Sequence, residues 1–201
     1  ELFVDRADEL ATLLEAARDP GPRIFYVHGP GGIGKTSLLQ VAEVALRARG
    51  VVTRRIDARD LELTPEAFLL AFDPAAGAEE VAGCQAILFD TYELILPIEA
   101  FVLRTLLRRA RGDILIILAS RTPPSAEWRA LSLWRGAIAP LALRNLPSID
   151  AQRYLEARGV EPGVGASIAA FSHGHPLALA IAADAWRNSA TPPNFDPGRA
   201  P

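Results

Sequence analysis

The sequence is poor in sulfur and has no long apolar run. Among its 201 residues there is one cysteine, Cys84, and no methionine, so an internal disulfide is excluded and a reducing compartment is favoured. No apolar run reaches the roughly 20 residues that cross a bilayer, and no signal-peptide pattern opens the chain. We expect a soluble, cytoplasmic protein that does not associate with membranes. Because the chain starts at Glu1 and lacks even an initiator methionine, we expect a piece of a longer protein with additional domains.

Lysine is also nearly absent, and the charge balance is mildly acidic. Of 21 basic residues, Lys35 is the one lysine, and the formal net charge is −3. That balance gives no long-range attraction to nucleic acid, so we expect no nucleic-acid partner through this segment. Lysine is a compact point charge on a slim stem, whereas arginine is a broad planar fork. The single lysine therefore suggests a site at position 35 that needs the slimmer cation.

Half of the residues are hydrophobic, which suits one substantial core and excludes disorder or a coiled coil as the main architecture. Short apolar runs predict five strands, at 24–28, 51–56, 86–90, 114–119 and 137–143. Helical patterns lie among them, at 3–18, 35–49, 65–72, 92–111 and 125–134, with Pro97 kinking or splitting the fourth. This alternation predicts an α/β fold with a parallel sheet covered on both faces.

Beyond residue 146 the pattern changes to helices alone. Three are predicted, at 148–158, 162–171 and 176–187, with glycines in their turns. We therefore predict an α/β domain over 1–144, a small helical module over 145–188 and a proline-rich linker or terminus over 189–201.

One motif carries specific chemistry: Gly29-Pro30-Gly31-Gly32-Ile33-Gly34-Lys35-Thr36 fits the phosphate-binding pattern G-x-x-x-x-G-K-[ST] between a predicted strand and a predicted helix. Its glycines let backbone N–H groups surround phosphate oxygens, and the positive end of the helix dipole faces the same anion. Lys35 would reach the β- and γ-phosphates, and the Thr36 hydroxyl would bind Mg²⁺. The predicted ligand is ATP or ADP, bound by Gly29, Gly31, Gly32, Ile33, Gly34, Lys35, Thr36 and Ser37. The alternative is a glycine-rich turn that binds nothing.

The third predicted strand ends in an acid, in Ala86-Ile87-Leu88-Phe89-Asp90. In phosphate-loop enzymes an acid at this place holds Mg²⁺, usually through water. Glu93, three residues later, could orient or deprotonate the attacking water. The alternative is that Asp90 and Glu93 form a capping box for the following helix.

Arg121 follows the fourth predicted strand. Ligands of open α/β sheets bind beyond the carboxyl ends of the strands, so an arginine here could contact the γ-phosphate and report its presence. The alternative is a solvent-exposed arginine without a role. His173 and His175 lack the partners of a metal site and are predicted to be surface residues.

Together these motifs resemble the STAND ATPases, the signal-transducing class that includes the NB-ARC proteins. Phe3-Val4-Asp5-Arg6 with Glu9-Leu10 is similar to the motif before the phosphate loop, residues 88–93 to the bacterial Walker B segment, and 119–121 to the sensor segment. Gly174-His175-Pro176-Leu177-Ala178-Leu179 is similar to the motif in the helical lid. The resemblance implies a three-layer P-loop NTPase fold with sheet order 5-1-4-3-2 and adenine near the backbone of Val4 and Arg6. It also implies that Pro176 packs on the nucleotide.

The first hypothesis is therefore a nucleotide-gated switch that hydrolyses ATP slowly and self-associates in its ATP state. The alternative is a turnover ATPase of the AAA+ or origin-recognition kind, acting on DNA or protein. A small-molecule kinase would need an arginine-bearing lid, which this sequence does not offer. A GTPase would need a second lysine for its guanine-reading element. A scaffold that holds nucleotide permanently is the remaining possibility.

Overall fold

The computed structural model describes residues 6–18, 24–72, 85–110, 114–130 and 138–188. They contain one parallel five-stranded sheet with the order β2-β3-β4-β1-β5. The strands are β1 (Ile24–His28), β2 (Thr53–Asp57), β3 (Ala86–Asp90), β4 (Leu115–Ser120) and β5 (Ile138–Ala142). Read from the other edge, this is the order 5-1-4-3-2, so the P-loop NTPase topology implied by the resemblance is confirmed.

Helices cover both faces of the sheet, and three further helices follow its last strand. The α-helices are α1 (Ala7–Glu15), α2 (Lys35–Arg47), α3 (Pro65–Phe72), α4 (Glu99–Ala110), α5 (Ala126–Ala130), α6 (Ser148–Ala157), α7 (Pro162–Ser172) and α8 (Pro176–Asn188). Pro97 splits the helix predicted over 92–111, because a 3-10 helix covers Tyr92–Ile98 before α4 begins. Proline has no N–H and its ring clashes with the preceding turn, so an α-helix does not continue through it.

Burial follows the position of each strand in the sheet. Every residue of β3 and β4 is buried, and these strands lie inside the sheet. β5 lies at an edge, is only partly buried and contains Pro140. An edge strand tolerates proline because one side of its backbone needs no ladder partner.

The chain forms two compact units. The sheet unit comprises the described residues among 7–30 and 35–142. Its core is built on alternate strand residues and the helices over them, including Tyr26, Phe68, Phe89, Tyr92 and Trp128.

The helical unit comprises Arg6, the loop segment Gly31–Gly34 and residues 143–188. Its own core includes Leu146, Leu155, Ile168 and Leu179. The predicted domain boundary at 144/145 stays a prediction. No helix in the described part of the chain is both long enough and apolar enough to cross a membrane.

A tight turn joins α7 to α8 in the helical unit. The N–H of Leu146 donates to the carbonyl of Gly174 at 2.9 Å, and the Asn145 amide donates to the carbonyl of His173 at 3.0 Å. Gly174 has a φ of +74°, and a Cβ there would lie 2.2 Å from the Leu146 carbonyl oxygen. This turn therefore needs glycine both for its backbone conformation and for the close approach.

We expect Gly174→Ala to destabilise the protein by more than about 2 kcal/mol, since the left-handed conformation alone costs an L-residue roughly 1–2 kcal/mol. Gly165→Ala is the matched control. Inside α7 its Cβ would meet Leu155 at an ordinary 3.7 Å, so stability should hold or rise by about 0.5–1 kcal/mol. Urea unfolding of both variants measures the difference, and equal effects would contradict the role given to the turn.

Candidate nucleotide-binding site

The phosphate loop runs from the end of β1 to the start of α2. It occupies residues 29–34, and α2 begins at Lys35 as the motif predicted. Gly32 and Gly34 have φ values of +76° and +99°, a region open to glycine at little cost. The first turn of any α-helix leaves N–H groups without partners inside the helix. The loop therefore leads into a helix end that is suited to an anion.

The Lys35 ammonium lies across its own loop. It donates to the carbonyl of Gly29 at 2.7 Å and to that of Pro30 at 2.8 Å. Burial lowers the pKa of Lys35, the negative charge of Glu93 raises it, and the positive charge of Arg121 lowers it again. An incoming anion would favour the charged form and offset the cost of burial.

Asp90 ends β3 and is 2% exposed. One carboxylate oxygen accepts the N–H of Thr91 at 2.9 Å, and the other pairs with the Arg55 guanidinium at 3.3 Å. Thr91, in the left-handed conformation with φ +56°, is the N-cap of the following 3-10 helix, and its side chain makes no capping bond. The capping-box alternative is therefore wrong for Asp90, because the strand extends through it and the helix begins later.

The contacts of the Glu93 carboxylate go to Arg121 rather than to the first N–H groups of this helix. The N–H of Arg121 donates to one at 3.1 Å, and Nε pairs with the other at 3.0 Å. The Arg121 side chain is 68% exposed and that of Glu93 is 15% exposed. Arg121 is thus exposed, as the alternative expected, but it has a defined partner. We call this ion pair the Glu93–Arg121 brace.

The segment after β4 is also anchored to β1. The N–H of Gly29, which directly follows β1, donates to the carbonyl of Ser120 at 3.3 Å. Burial raises the pKa of Tyr26 on β1, and the side chains of Ser120 and Thr122 lower it. The N–H of Thr122 donates to the Ser120 hydroxyl at 3.2 Å. The backbone on both sides of Arg121 therefore has hydrogen-bond partners.

In the helical unit, three side chains reach the tip of the loop. Arg6, only 7% exposed, donates to the carbonyls of Ile33 and Arg144. Nε2 of His175 lies 3.1 Å from the Gly31 carbonyl oxygen. A Cβ on Gly32 would meet Cβ of Leu177 at 2.6 Å. Of the two histidines predicted to be surface residues, His173 is exposed and His175 is partly buried.

Several predicted roles stay predictions. Val4 lies outside the described residues. Pro176 is the first residue of α8, and Thr36 lies exposed in the first turn of α2. Sequence reasoning missed Arg55 and the contact of His175 with the loop. The charged pair Arg54-Arg55 within a strand was a usable signal for Arg55, whereas nothing local signalled the partner of His175.

The described residues contain no cluster of three or more histidine, cysteine or acidic side chains that could hold a metal. Mg²⁺ prefers one or two protein oxygens together with water and substrate phosphates. A carboxylate offers about four acceptor positions, so the two contacts of Asp90 leave capacity for a metal-bound water. Thr36 and Asp90 therefore suit a Mg²⁺–nucleotide complex.

Comparison with known proteins identifies the family. The family model of the AAA ATPase domain matches residues 3–181 of the sequence. The chain belongs to the AAA ATPase domain family. No curated protein sequence matches it. The solved structures similar to it include the replication initiator DnaA bound to AMPPCP and single-stranded DNA, with TM-score 0.67, 16% identity, 95% of this chain and 63% of that chain covered.

Two further structures have the same fold. The Thermotoga maritima RuvB Holliday junction branch migration motor matches with TM-score 0.63, 16% identity and coverage of 92% of this chain and 63% of that one. The Drosophila origin recognition complex bound to DNA matches with TM-score 0.63, 19% identity and coverage of 92% and 62%. This AAA ATPase domain thus spans about 63% of the length of the first two of these structures. At such identities the likeness establishes the fold.

The ion pair of Arg55 with Asp90 yields a stability prediction. We expect Arg55→Met to destabilise the nucleotide-free domain by about 2 kcal/mol, because it leaves a buried carboxylate without its counter-charge. Arg54→Met is the matched control, since successive strand residues point to opposite faces. Thermal unfolding in buffer without Mg²⁺ provides the measurement. Equal destabilisation by both changes would show that the pair with Asp90 has no special weight.

Proposed function

We propose that this domain binds ATP and ADP with Mg²⁺ at the loop 29–36 and hydrolyses ATP, as a turnover ATPase of the AAA+ kind that acts on DNA or protein. The observation that carries the proposal is geometric: the parallel strands β1, β3 and β4 end at one edge of the sheet, and the phosphate loop, Asp90 and Arg121 lie at or directly after those ends. The lowered pKa of Lys35, on which Glu93, Arg121 and Asp90 all act, agrees with this placement. These are the residue types that phosphoryl transfer requires.

Each side chain has a distinct proposed role. Lys35 binds the β- and γ-phosphates, and the loop N–H groups bind phosphate oxygens. Thr36 and Asp90 hold Mg²⁺, the latter through water, and the metal neutralises charge on the phosphates when it is bound. Glu93 orients the attacking water and accepts its proton.

The Glu93–Arg121 brace gives this site a resting state. A guanidinium binds phosphate as well as carboxylate, and with similar geometry. We infer that the γ-phosphate competes with Glu93 for Arg121. Binding of ATP then releases the Glu93 carboxylate toward the water, whereas ADP has no γ-phosphate and leaves the brace closed. Hydrolysis would thereby depend on the presence of the complete triphosphate.

A STAND-type signalling switch is the second candidate. It is supported by the same brace, which holds the general base away from catalysis, and by the placement of Gly31–Gly34 in the helical unit. A site with its base restrained is suited to slow hydrolysis. In this version the ATP state permits self-association, and further domains of a longer chain provide signal and output.

The two candidates differ in turnover and in partners. We consider DNA as a partner because the structurally similar DnaA and origin recognition complex are described as bound to DNA. The net charge of −3 does not favour it. Multiple-turnover hydrolysis that single-stranded DNA or a protein substrate accelerates would support the turnover ATPase. Slow hydrolysis with ADP retained through purification would support the switch.

We expect Lys35→Ala to weaken ATP and ADP binding by about 100-fold, because charge-assisted hydrogen bonds to phosphate contribute about 1.5–3 kcal/mol each. Arg47→Ala, at the far end of the same helix, is the control and should bind as the unchanged protein does. Titration with fluorescent nucleotide measures both. If Lys35→Ala bound nucleotide with undiminished affinity, the proposed site would be wrong.

The proposed roles of the brace predict different defects when each of its two residues is replaced. Glu93→Gln should bind ATP normally but hydrolyse it about 100-fold more slowly, because an amide is no general base. Arg121→Ala should bind ATP more weakly and leave the affinity for ADP unchanged, because the γ-phosphate loses its guanidinium partner. Glu66→Gln, an exposed change on α3, is the control. Parallel binding and phosphate-release assays distinguish the effects. An Arg121→Ala protein with unchanged affinity for ATP would refute the sensing role.

A further inference from the structure

Three consecutive residues at the tip of the phosphate loop are contacted by side chains of the helical unit. His175 binds the carbonyl of Gly31, and Arg6 donates to the carbonyl of Ile33. Between these anchors, Leu177 and the His175 ring lie over Gly32, with Cε1 of His175 3.1 Å from an ideal Cβ position. The tip is thus held from one side by groups outside the loop itself.

The geometry of the peptide bond gives these contacts a consequence. In a planar trans peptide, the carbonyl of one residue and the N–H of the next point in opposite directions. A bond to the Gly31 carbonyl therefore fixes the direction of the Gly32 N–H, which points away from His175. In the same way, a bond to the Ile33 carbonyl fixes the N–H of Gly34.

We propose that His175, together with Arg6, is a positioning residue of the nucleotide site. It binds the outer carbonyl of the loop and so orients the Gly32 N–H toward the phosphates before nucleotide arrives. Because a carbonyl only accepts hydrogen bonds, Nε2 of His175 is the donor. The idea rests on the proposed nucleotide binding, and preorganised donors bind an anion without a further cost of ordering.

The position of His175 is itself determined by the turn between α7 and α8. Bonds from Asn145 and Leu146 hold the carbonyls of His173 and Gly174. The carbonyl of His175 accepts the N–H of Leu179 at 2.9 Å, which makes it part of the first turn of α8. The ring therefore projects from a backbone that is fixed on both sides, and any movement of α8 acts directly on Gly31.

The test compares His175→Leu with His175→Gln in the intact chain. Leucine removes the donor, whereas glutamine restores an N–H at similar reach. His173→Asn, at the exposed histidine of the same turn, is the matched control, and asparagine tolerates its left-handed backbone. Two quantities are measured: the dissociation constant for ADP, and the NMR chemical shift and hydrogen exchange of the Gly32 amide in nucleotide-free protein.

We expect His175→Leu to weaken ADP binding about tenfold, the effect of one misaligned hydrogen bond to a charged group. His175→Gln should recover most of that loss, and His173→Asn should bind as the unchanged protein does. The free Gly32 amide should shift in His175→Leu alone. Unchanged thermal unfolding across the series would show that the effect is local.

Two results would overturn the positioning role: an unshifted Gly32 amide in His175→Leu, or equal losses in the leucine and glutamine variants. Failure of the proposed function looks different. In that case the unchanged protein would not bind ADP, while the amide measurement would still report on the positioning.

Discussion

Parallel pairing of β3, β4 and β1 is the constraint on which the site depends. Parallel strands end at the same edge of the sheet, so the residues that follow them become neighbours although they are far apart in the sequence. His28 pairs with Ser120, and Asp57 pairs with Asp90, in register at that edge. The phosphate loop, the buried acid and Arg121 are brought together by this arrangement. A change in strand order would separate them even if each motif remained intact.

The cations at this edge of the sheet each have an acceptor within the protein. Arg55 pairs with Asp90, Arg121 pairs with Glu93, and Lys35 binds the carbonyls of its own loop. Each cation thus has an acceptor within the protein, in keeping with the rule that buried ions are tolerated only when they are paired. Under the proposed function, a phosphate group would replace these acceptors, and the γ-phosphate would make ATP and ADP act differently.

Gly31–Gly34 belong to the same compact unit as α6, α7 and α8. Within that unit, Arg6 donates to the carbonyl of Ile33 and His175 binds that of Gly31. Under the proposed function, a nucleotide bound by the loop would affect these side chains, and by linkage they would affect its binding. Such coupling would serve a turnover ATPase and a signalling switch alike, since the two candidates differ in turnover and in partners.

Most elements could be predicted from the sequence because their signals are local. The run before Asp90 is apolar, the motif at 29–36 has fixed spacing, and the helices after 146 follow their own periodicity; even the sheet order was implied by the resemblance. The partners of the charged residues could not be predicted. The capping box at Asp90 and Glu93 was a reasonable local pattern, yet in the structure Asp90 pairs with Arg55 and Glu93 pairs with Arg121. Chain spacing determines which groups are present, whereas long-range pairing decides which of them meet, because a buried or half-buried charge binds the nearest counter-charge that the fold supplies.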